Sequence, residues 1–560
     1  MKINKKLSSL IFLALFLVNC SKNETTCEIA DVVLTNATIY TLNESIPVAE
    51  SLAFLGNTIV FVGSNVSSQN YQCGEAEVID LEGNYVYPGF VDSHAHLKGI
   101  GRRENSLNLQ GIKSLKEMLT AVEIYSNGIE PGEWVVGRGW IEKVWPEKRF
   151  PTRYELDRFS SDKPVILERA DGHAVVVNSL ALKLAGISSE SIDPHGGRIE
   201  KDKNGQPTGM LIDRATSLVE KLIPKRTKQE DKRDFKAGID RNVSLGWTQV
   251  QIAGGTFSDI KILEEIREEG NLSQRVYFAV SAGKPAESLL KVGSTLDPTN
   301  MLTIRSIKLY ADGALGSRGA WLLEEYSDAE GVHGHNVTPM EDIEEVVMEG
   351  LKNGFQMCTH AIGDRANREV LDIYERAFSK YPEQAKDSRF RIEHAQHIHP
   401  EDIPRFAELG VLPAMQAIHM SSDRPWAIDR LGKERIENGA YMWSELIDNG
   451  SKIVNGTDAP VEPVSALASF YASVSRKTLK GNPEGGYEPT QKMTREEALK
   501  SYTIWPAYGA FMEDVTGSIE EGKLADFTVL DTDIMTVADE EILKAKVKMT
   551  IIDGKIVFEN

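Results

Sequence analysis

Residues 85–97 read YVYPGFVDSHAHL. An aromatic, β-branched run stops at Pro88-Gly89, and a second apolar run leads into two histidines one residue apart, His94 and His96. Side chains at i and i+2 of a strand share a face. His94 and His96 therefore project together, while Ala95 turns into the packing behind them. Such a pair is either half of a metal clamp or two polar residues near a strand end. What the rest of the chain places beside them separates the two.

On the N-terminal side the pattern is one of short strands. DVVLTNATIYTL and SLAFLGNTIVFVG fill residues 31–63, with Gly56-Asn57 as a hairpin turn, and EVIDLEGNYVY adds two strands around Glu82-Gly83. The C-terminus repeats this style in ADFTVLD and VKMTIIDGKIVFEN, where Asp553-Gly554 is a hairpin signal. Neither segment buries much core by itself. One β-sandwich built from both chain ends, residues 31–88 and 513–560, is the economical solution.

Residues 89–512 alternate strand and helix. Strands are expected at 90–96, 247–252, 275–281, 303–310, 355–360, 390–396, 411–416 and 452–458. Between them the apolar period is helical: Ile343, Val346, Val347 and Leu351 in one stretch, Val370, Leu371 and Tyr374 in the next. Eight β/α units predict an α/β chain with a (β/α)8 TIM-type barrel. The interval 100–245 carries its own strands (WVVGRGW, PVILERA) and a hairpin-like GGRIEKDKNGQPTGML. It reads as an α/β insertion after the first barrel strand.

Composition fits a large globular protein, with 41% hydrophobic and 26% charged residues among 560. A net charge of −20 argues against a nucleic-acid partner, because no basic field exists to neutralise phosphates. The N-terminus reads as targeting rather than fold. MKINKK supplies a positive n-region and LIFLALFLV a short apolar core. A spanning helix needs roughly 20 apolar residues, more than this run holds. The stretch ends in Leu17-Val18-Asn19-Cys20, which resembles a bacterial lipobox. Residues 1–19 are then the signal peptide, Cys20 the lipidated first mature residue and 20–30 a linker. The expected location is the bacterial cell envelope, exported and membrane-anchored; an ordinary secretory signal is the alternative. Export places Cys27 and Cys73 in an oxidising space where they could be bridged, whereas Cys358 lies in an apolar strand pattern and reads as packing.

The other strand ends supply what His94 and His96 need. Strand five ends QMCTH at His360, strand six RIEH at His394, and strand eight KIVNGTD at Asp458. Barrels of this type carry their sites at the carboxyl ends of the strands. Imidazoles converging there hold a divalent ion at about 2.0–2.1 Å where the metal is zinc. Each histidine by itself fits a structural hydrogen bond; four histidines and an aspartate on strand ends of one barrel do not fit coincidence.

PGFVDSHAHL, IKLYADGALGSRGA, THAIGDRA, RIEHAQ and NGTDAP together resemble the metal-dependent amidohydrolase superfamily. More narrowly they resemble its YtcJ-like branch, which includes N-substituted formamide deformylases. The resemblance extends to GRGW, LERADGHAVVVNS, NGQPTGML and TGSIEEGKLADFTVLD. It implies that His94, His96 and Asp458 bind one metal and His360 and His394 a second. It also implies that Lys308, at the end of strand four, bridges the two as a carbamate. An ammonium has three donors and no acceptor and cannot bridge metals, whereas reaction with carbon dioxide would make the lysine an anionic oxygen ligand. The open alternative is a cationic Lys308 paired with Asp312 and a single metal. Zinc is the expected ion, one or two per chain.

The chemistry this implies is hydrolysis: metal-activated hydroxide attacks a substrate carbonyl, and Asp458 takes its proton and passes it to the departing amine. On the substrate side the resemblance points to Asp171 and His173, with Arg318, His419 and Asp423 near the mouth. For each a blander role stands beside it: a helix cap for His173, an acid partner for Arg318, loop ordering for His419. Trp140, Trp145 and Trp426 line a pocket or pack the insertion. His397 and His399 read as loop structure, and His195, His333 and His335 have no assigned role. Gly137-Arg138-Gly139 lacks the later glycine and helix of a dinucleotide site. The leading expectation is an amidohydrolase acting on a linear amide, an N-acyl or N-formyl amine. A cyclic amide, lactone or ester is the alternative bond, and a non-catalytic small-molecule-binding lipoprotein the alternative class. A homodimer is a base-rate expectation.

Overall fold

A computed structural model describes residues 28–142, 145–169, 174–194 and 197–560. The expected signal peptide, Cys20 and Cys27 lie outside the described residues; Cys73 is disulfide-bonded. Cys358 is a free, buried thiol. Among the described residues no helix is long and apolar enough to cross a membrane.

The barrel is present. Its parallel strands are β1 (Phe90–Ala95), β2 (Trp247–Gly255), β3 (Arg275–Ser281), β4 (Leu302–Tyr310), β5 (Gln356–Ala361), β6 (Arg391–His394) and β7 (Leu412–Ala414). Each pairs in order with the next. Helices such as Met340–Lys352 and Asp364–Lys380 cover it. The first starts on Glu341 and Asp342 and ends on Lys352, charges that complement the helix dipole. Its stripe of Ile343, Val347 and Leu351 is buried, as are Val370, Leu371 and Tyr374 of the second.

The expected eighth strand, 452–458, is the main departure. It runs between β7 and β1 without forming a regular ladder. Val454 N and Gly456 N donate to Pro413 O and Met415 O (3.1 and 3.0 Å), while Ser93 N donates to Asn455 O at 3.1 Å and Asp458 N to His94 O at 2.7 Å. The interruption has a cause. The buried Asp92 carboxylate takes Thr457 N at 2.9 Å and Thr457 Oγ1 at 2.6 Å, so a side chain occupies the place of a ladder bond. The barrel still closes. β6 is likewise shorter than expected, because positive φ at His394 and Ala395 (74° and 42°) ends the strand at His394.

The two chain ends form the sandwich. One sheet runs Thr58–Gly63, Ser51–Leu55, Val32–Thr35, Glu77–Asp80; the other runs Lys555–Glu559, Val547–Ile552, Phe527–Leu530, Tyr85–Pro88, Thr38–Tyr40, Val48–Ala49. Leu34, Leu52, Phe54, Val86, Phe527 and Ile551 pack between them. The segments flanking Glu82-Gly83 do not pair with each other but join different sheets. Pro88-Gly89 is the crossing from sandwich to barrel. Gly89 is needed there, since a Cβ would sit 2.3 Å from Thr248 Oγ1. Arg275 of β3 locks the two bodies together, donating to Asp526 (2.6 and 2.9 Å) and to Asp553 (3.1 Å) from a fully buried position.

The insertion has its own mixed sheet, from Gly197–Lys201 at one edge through Pro207–Asp213, Ala174–Val177, Val165–Arg169 and Val135–Trp140 to Leu107–Asn108. Trp140 and Trp145 lie in its core, 5.9 Å apart, their indoles donating to Leu167 O and Ile112 O (both 2.9 Å). They pack the insertion. Trp426 packs against the barrel core, over Gly316.

The closing seam has no slack at Gly456, where a Cβ would stand 2.4 Å from His94 N and 2.8 Å from Asp92 Oδ1. Gly456→Ala is expected to destabilise the protein by about 1–3 kcal/mol and to lower its metal content. Thermal unfolding and metal analysis check this; a wild-type unfolding midpoint would refute it.

Candidate metal centre

β1 delivers His94 and His96 to the carboxyl end of the barrel by alternation, and their environments differ. His94 is buried and its Nδ1 bonds Glu393 Oε2 of β6. A carboxylate accepts, so Nδ1 carries the proton and Nε2 presents a bare lone pair. That Nε2 is buried without a hydrogen-bond partner among the described residues and faces Asp458 Oδ1 at 3.4 Å. His96, half exposed, places its Nε2 3.1 Å from the same oxygen.

The same device acts on His394. Gln416 Nε2 donates to Ala414 O at 2.9 Å, which fixes the amide so that its Oε1 accepts from His394 Nδ1 at 2.7 Å. His394 Nε2 is thereby left as an acceptor. By strand alternation Arg391 and Glu393 face inward and His394 would face out. The positive φ of His394 turns its ring inward beside Glu393, and it lies 4.8 Å from the His94 ring centroid. Asp458 also has positive φ (57°). Strained backbone at such positions persists only where the surroundings fix it.

His94, His394 and Asp458 each offer one ligand atom, and these atoms lie within 4.8 Å of one another. Two bare imidazole nitrogens, one of them buried and orphaned, facing a carboxylate make a donor set that fits a divalent cation. His360 is adjacent, its ring 4.4 Å from that of His394, but its Nε2 stands 3.5 Å from Asp312 Oδ1. The structure thus gathers His94, His394 and Asp458 tightly, joins His96 through Asp458, and sets His360 and Lys308 beside them.

Burial controls the charges. It pushes His360 down to about 3 and His394 well below its usual value, so both are neutral. It also lowers the amine of Lys308, which is 1% exposed and lies under the Tyr310 ring at 5.1 Å. The pairing of Lys308 with Asp312 is not what Asp312 is built for. Its carboxylate accepts Trp321 N, Ile362 N and Gly363 N at 2.8–2.9 Å, and burial raises it to about 7 despite those bonds. Glu393 falls, against its burial, through Arg391, which pairs with it at 2.8 Å, and through His94.

Of the substrate-side candidates, Asp171 and His173 lie outside the described residues, as does His195. Arg318 is bonded to Asp328 (2.9 and 3.1 Å) and is not brought to the cluster. His419 is: its Nε2 lies 3.2 Å from Asp458 Oδ2 and its Nδ1 3.2 Å from Glu462 Oε1. Burial pushes that imidazolium down, the two carboxylates push it up, and the balance is about 10. Asp423, on the same helix, is raised by burial to about 6. His397 is buried beside Asp364 at 3.5 Å and His399 caps a short turn, both as loop structure. Glu393, Gln416 and Glu462 are site residues that the sequence reading passed over. The signal for Glu393 is an Arg-x-Glu that alternation places on the inward face of a buried strand; nothing local marks Gln416.

An amidohydrolase family model matches residues 77–558, and the chain belongs to that family. It is 34% identical to a putative amidohydrolase YtcJ of Bacillus subtilis, covering 93% of this chain and 98% of the relative. It is 28% identical to an N-substituted formamide deformylase of Arthrobacter pascens over 95% and 99% of the two chains. Among solved structures, an uncharacterized metal-dependent hydrolase from Pyrococcus furiosus superposes with a TM-score of 0.73 at 29% identity, covering 90% of this chain and all of that one. The barrel with its sandwich and strand-end donors is thus the framework of a metal-dependent hydrolase.

Removing the Glu393 carboxylate frees the His94 tautomer. Glu393→Ala is expected to weaken metal binding about 10–100-fold, measured by competition with a chromophoric chelator; unaltered affinity would refute the tautomer argument.

Proposed function

We propose that the protein is an exported amidohydrolase that cleaves a linear amide, an N-acyl or N-formyl amine. The observation that carries the reading is the Asp458 carboxylate, whose Oδ1 lies 3.4 Å from Nε2 of the buried His94 and 3.1 Å from Nε2 of the half-exposed His96. Likeness to an N-substituted formamide deformylase over nearly the whole chain supports the substrate class.

Zinc, the expected ion, supplies when bound a Lewis-acid contact and an acidified water. The chain's own residues do the rest. His94 and His394 present bare Nε2 atoms because Glu393 and Gln416 hold their Nδ1 protons. Asp458, held below its usual range by His419 against its burial, is ionised and able to accept a proton from the attacking water. It returns that proton to the amide nitrogen, so the C–N bond breaks with a neutral amine leaving and a carboxylic acid remaining, formic acid where the substrate is an N-formyl amine. Lys308 carries a carbon dioxide-derived carbamate: its neutral amine nitrogen bonds the carbon of carbon dioxide and loses a proton, giving an anionic oxygen ligand. Its burial and lowered amine support this. The lipobox-like Leu17-Val18-Asn19-Cys20 supports anchoring through Cys20.

Asp458→Asn is expected to keep the fold and lose about 10²–10⁴-fold in turnover on panels of N-formyl and N-acyl amines. Wild-type rates in that variant would reject Asp458 as the proton carrier, and activity confined to cyclic amides, lactones or esters would reject the substrate class. Intact mass at Lys308 heavier by one carbon dioxide, lost in Lys308→Met, checks the carbamate; an unmodified amine in the metal-loaded protein refutes it. A lipid label that fails to attach to the wild type, or that persists in Cys20→Ser, refutes the anchor.

A further inference from the structure

We propose that His419, held at both ring nitrogens, is a positioning residue that fixes which oxygen of Asp458 faces the metal pocket. The inference rests on the reading of Asp458 as ligand and proton acceptor.

A carboxylate has two oxygens and a broad, roughly two-fold terminal torsion. Left unheld, Asp458 would present either oxygen, or both, to the cluster. The structure divides them. Oδ1 faces His94 and His96, while Oδ2 lies 3.2 Å from His419 Nε2. His419 follows β7, on the first turn of the helix Ala417–Gly439. Its far nitrogen, Nδ1, meets Glu462 Oε1 at 3.2 Å, and Ser422 Oγ donates to that same oxygen.

The two carboxylates that grip the ring come from one stretch of backbone. Val461 N donates to Asp458 O at 2.9 Å, closing a turn, and Glu462 follows it directly. His96 N donates to Ala459 O at 2.8 Å, which ties that turn to β1. His419 therefore stands as a strut between the metal-side acid and the acid at the end of its own turn. With both nitrogens aimed at carboxylates, the ring has no N–H left for a substrate. This moves His419 from the substrate contact expected from the sequence to the support of Asp458.

The test uses the full-length protein loaded with cobalt(II), whose visible absorption reports the ligand geometry, alongside steady-state kinetics on the amide that turns over fastest. His419→Ala is expected to weaken cobalt binding about tenfold, to alter the absorption bands, and to lower kcat about tenfold or more with KM within about twofold. His419→Gln, which keeps a side-chain N–H for Asp458, is expected to recover part of each loss. Glu462→Gln, on a turn outside the core, is expected to shift the bands in the same direction by less, and it decides the matter if His419→Ala does not fold. Wild-type cobalt affinity and bands in these variants would overturn the proposal. So would a rise in KM with kcat and bands unchanged, the behaviour of a substrate contact. Should the wild type hydrolyse none of the amides, that failure falls on the proposed reaction, and the cobalt measurements still decide the role of His419.

Discussion

The site depends on the Asp92 carboxylate at the barrel's closing seam. A (β/α)8 barrel brings its last stave back beside its first, here joining residues 365 apart in sequence. Where a ladder would run, Asp92 binds Thr457 through both backbone and hydroxyl. Two residues beyond Asp92 lies His94, and one beyond Thr457 lies Asp458. One buried interaction thus sets the separation of a histidine of the candidate metal centre from the acid opposite it. Its energetic cost is visible, since burial lifts Asp92 to about 7 even with those hydrogen bonds. Neighbouring Gly456 leaves no space for a different register.

Around that seam the same problem is solved repeatedly: how to bury imidazoles without losing their lone pairs. A buried histidine with no outer partner would be free to take either tautomer. Glu393 removes the choice at His94 and Gln416 removes it at His394, each from a different strand end. The charged partner is itself supported, because Glu393 is held by Arg391, whose guanidinium also donates to Ser93 O at 2.6 Å and to Gln251. Breaking a chain of this kind strands a buried charge, which costs more than the pair itself contributes.

Much of this was legible in the sequence because strands and barrels impose strong periodicities. Pro88-Gly89 marked the passage between two bodies, and His94, His360, His394 and Asp458 stood at strand ends that an apolar run made visible. The seam was not legible. Residues 452–458 carry an apolar pattern that predicts a strand, and only the three-dimensional position of Asp92 explains why no ladder forms. Nor was the inward turn of His394, since strand alternation sends it outward and a positive φ in a histidine has no sequence signature. Gln416 and Glu462 are ordinary polar residues in ordinary loops until the backbone brings them to an imidazole.

The two histidines of Asp-Ser-His-Ala-His have therefore diverged in role despite their shared face. His94, with a side chain 1% exposed, is locked by Glu393, whereas His96 has 37% of its side chain exposed and meets Asp458 and the edge of the His94 ring. Val461, on the turn just past Asp458, is 69% exposed. The donors thus grade from a sealed end under His94 to an open side at His96 and Val461. A molecule approaching Asp458 from solvent meets the open side first, and the locked tautomers lie behind the acid rather than in its path. Outer partners that fix geometry can then be buried and rigid, while the face that discriminates substrates is left to loops, the part of a barrel free to vary.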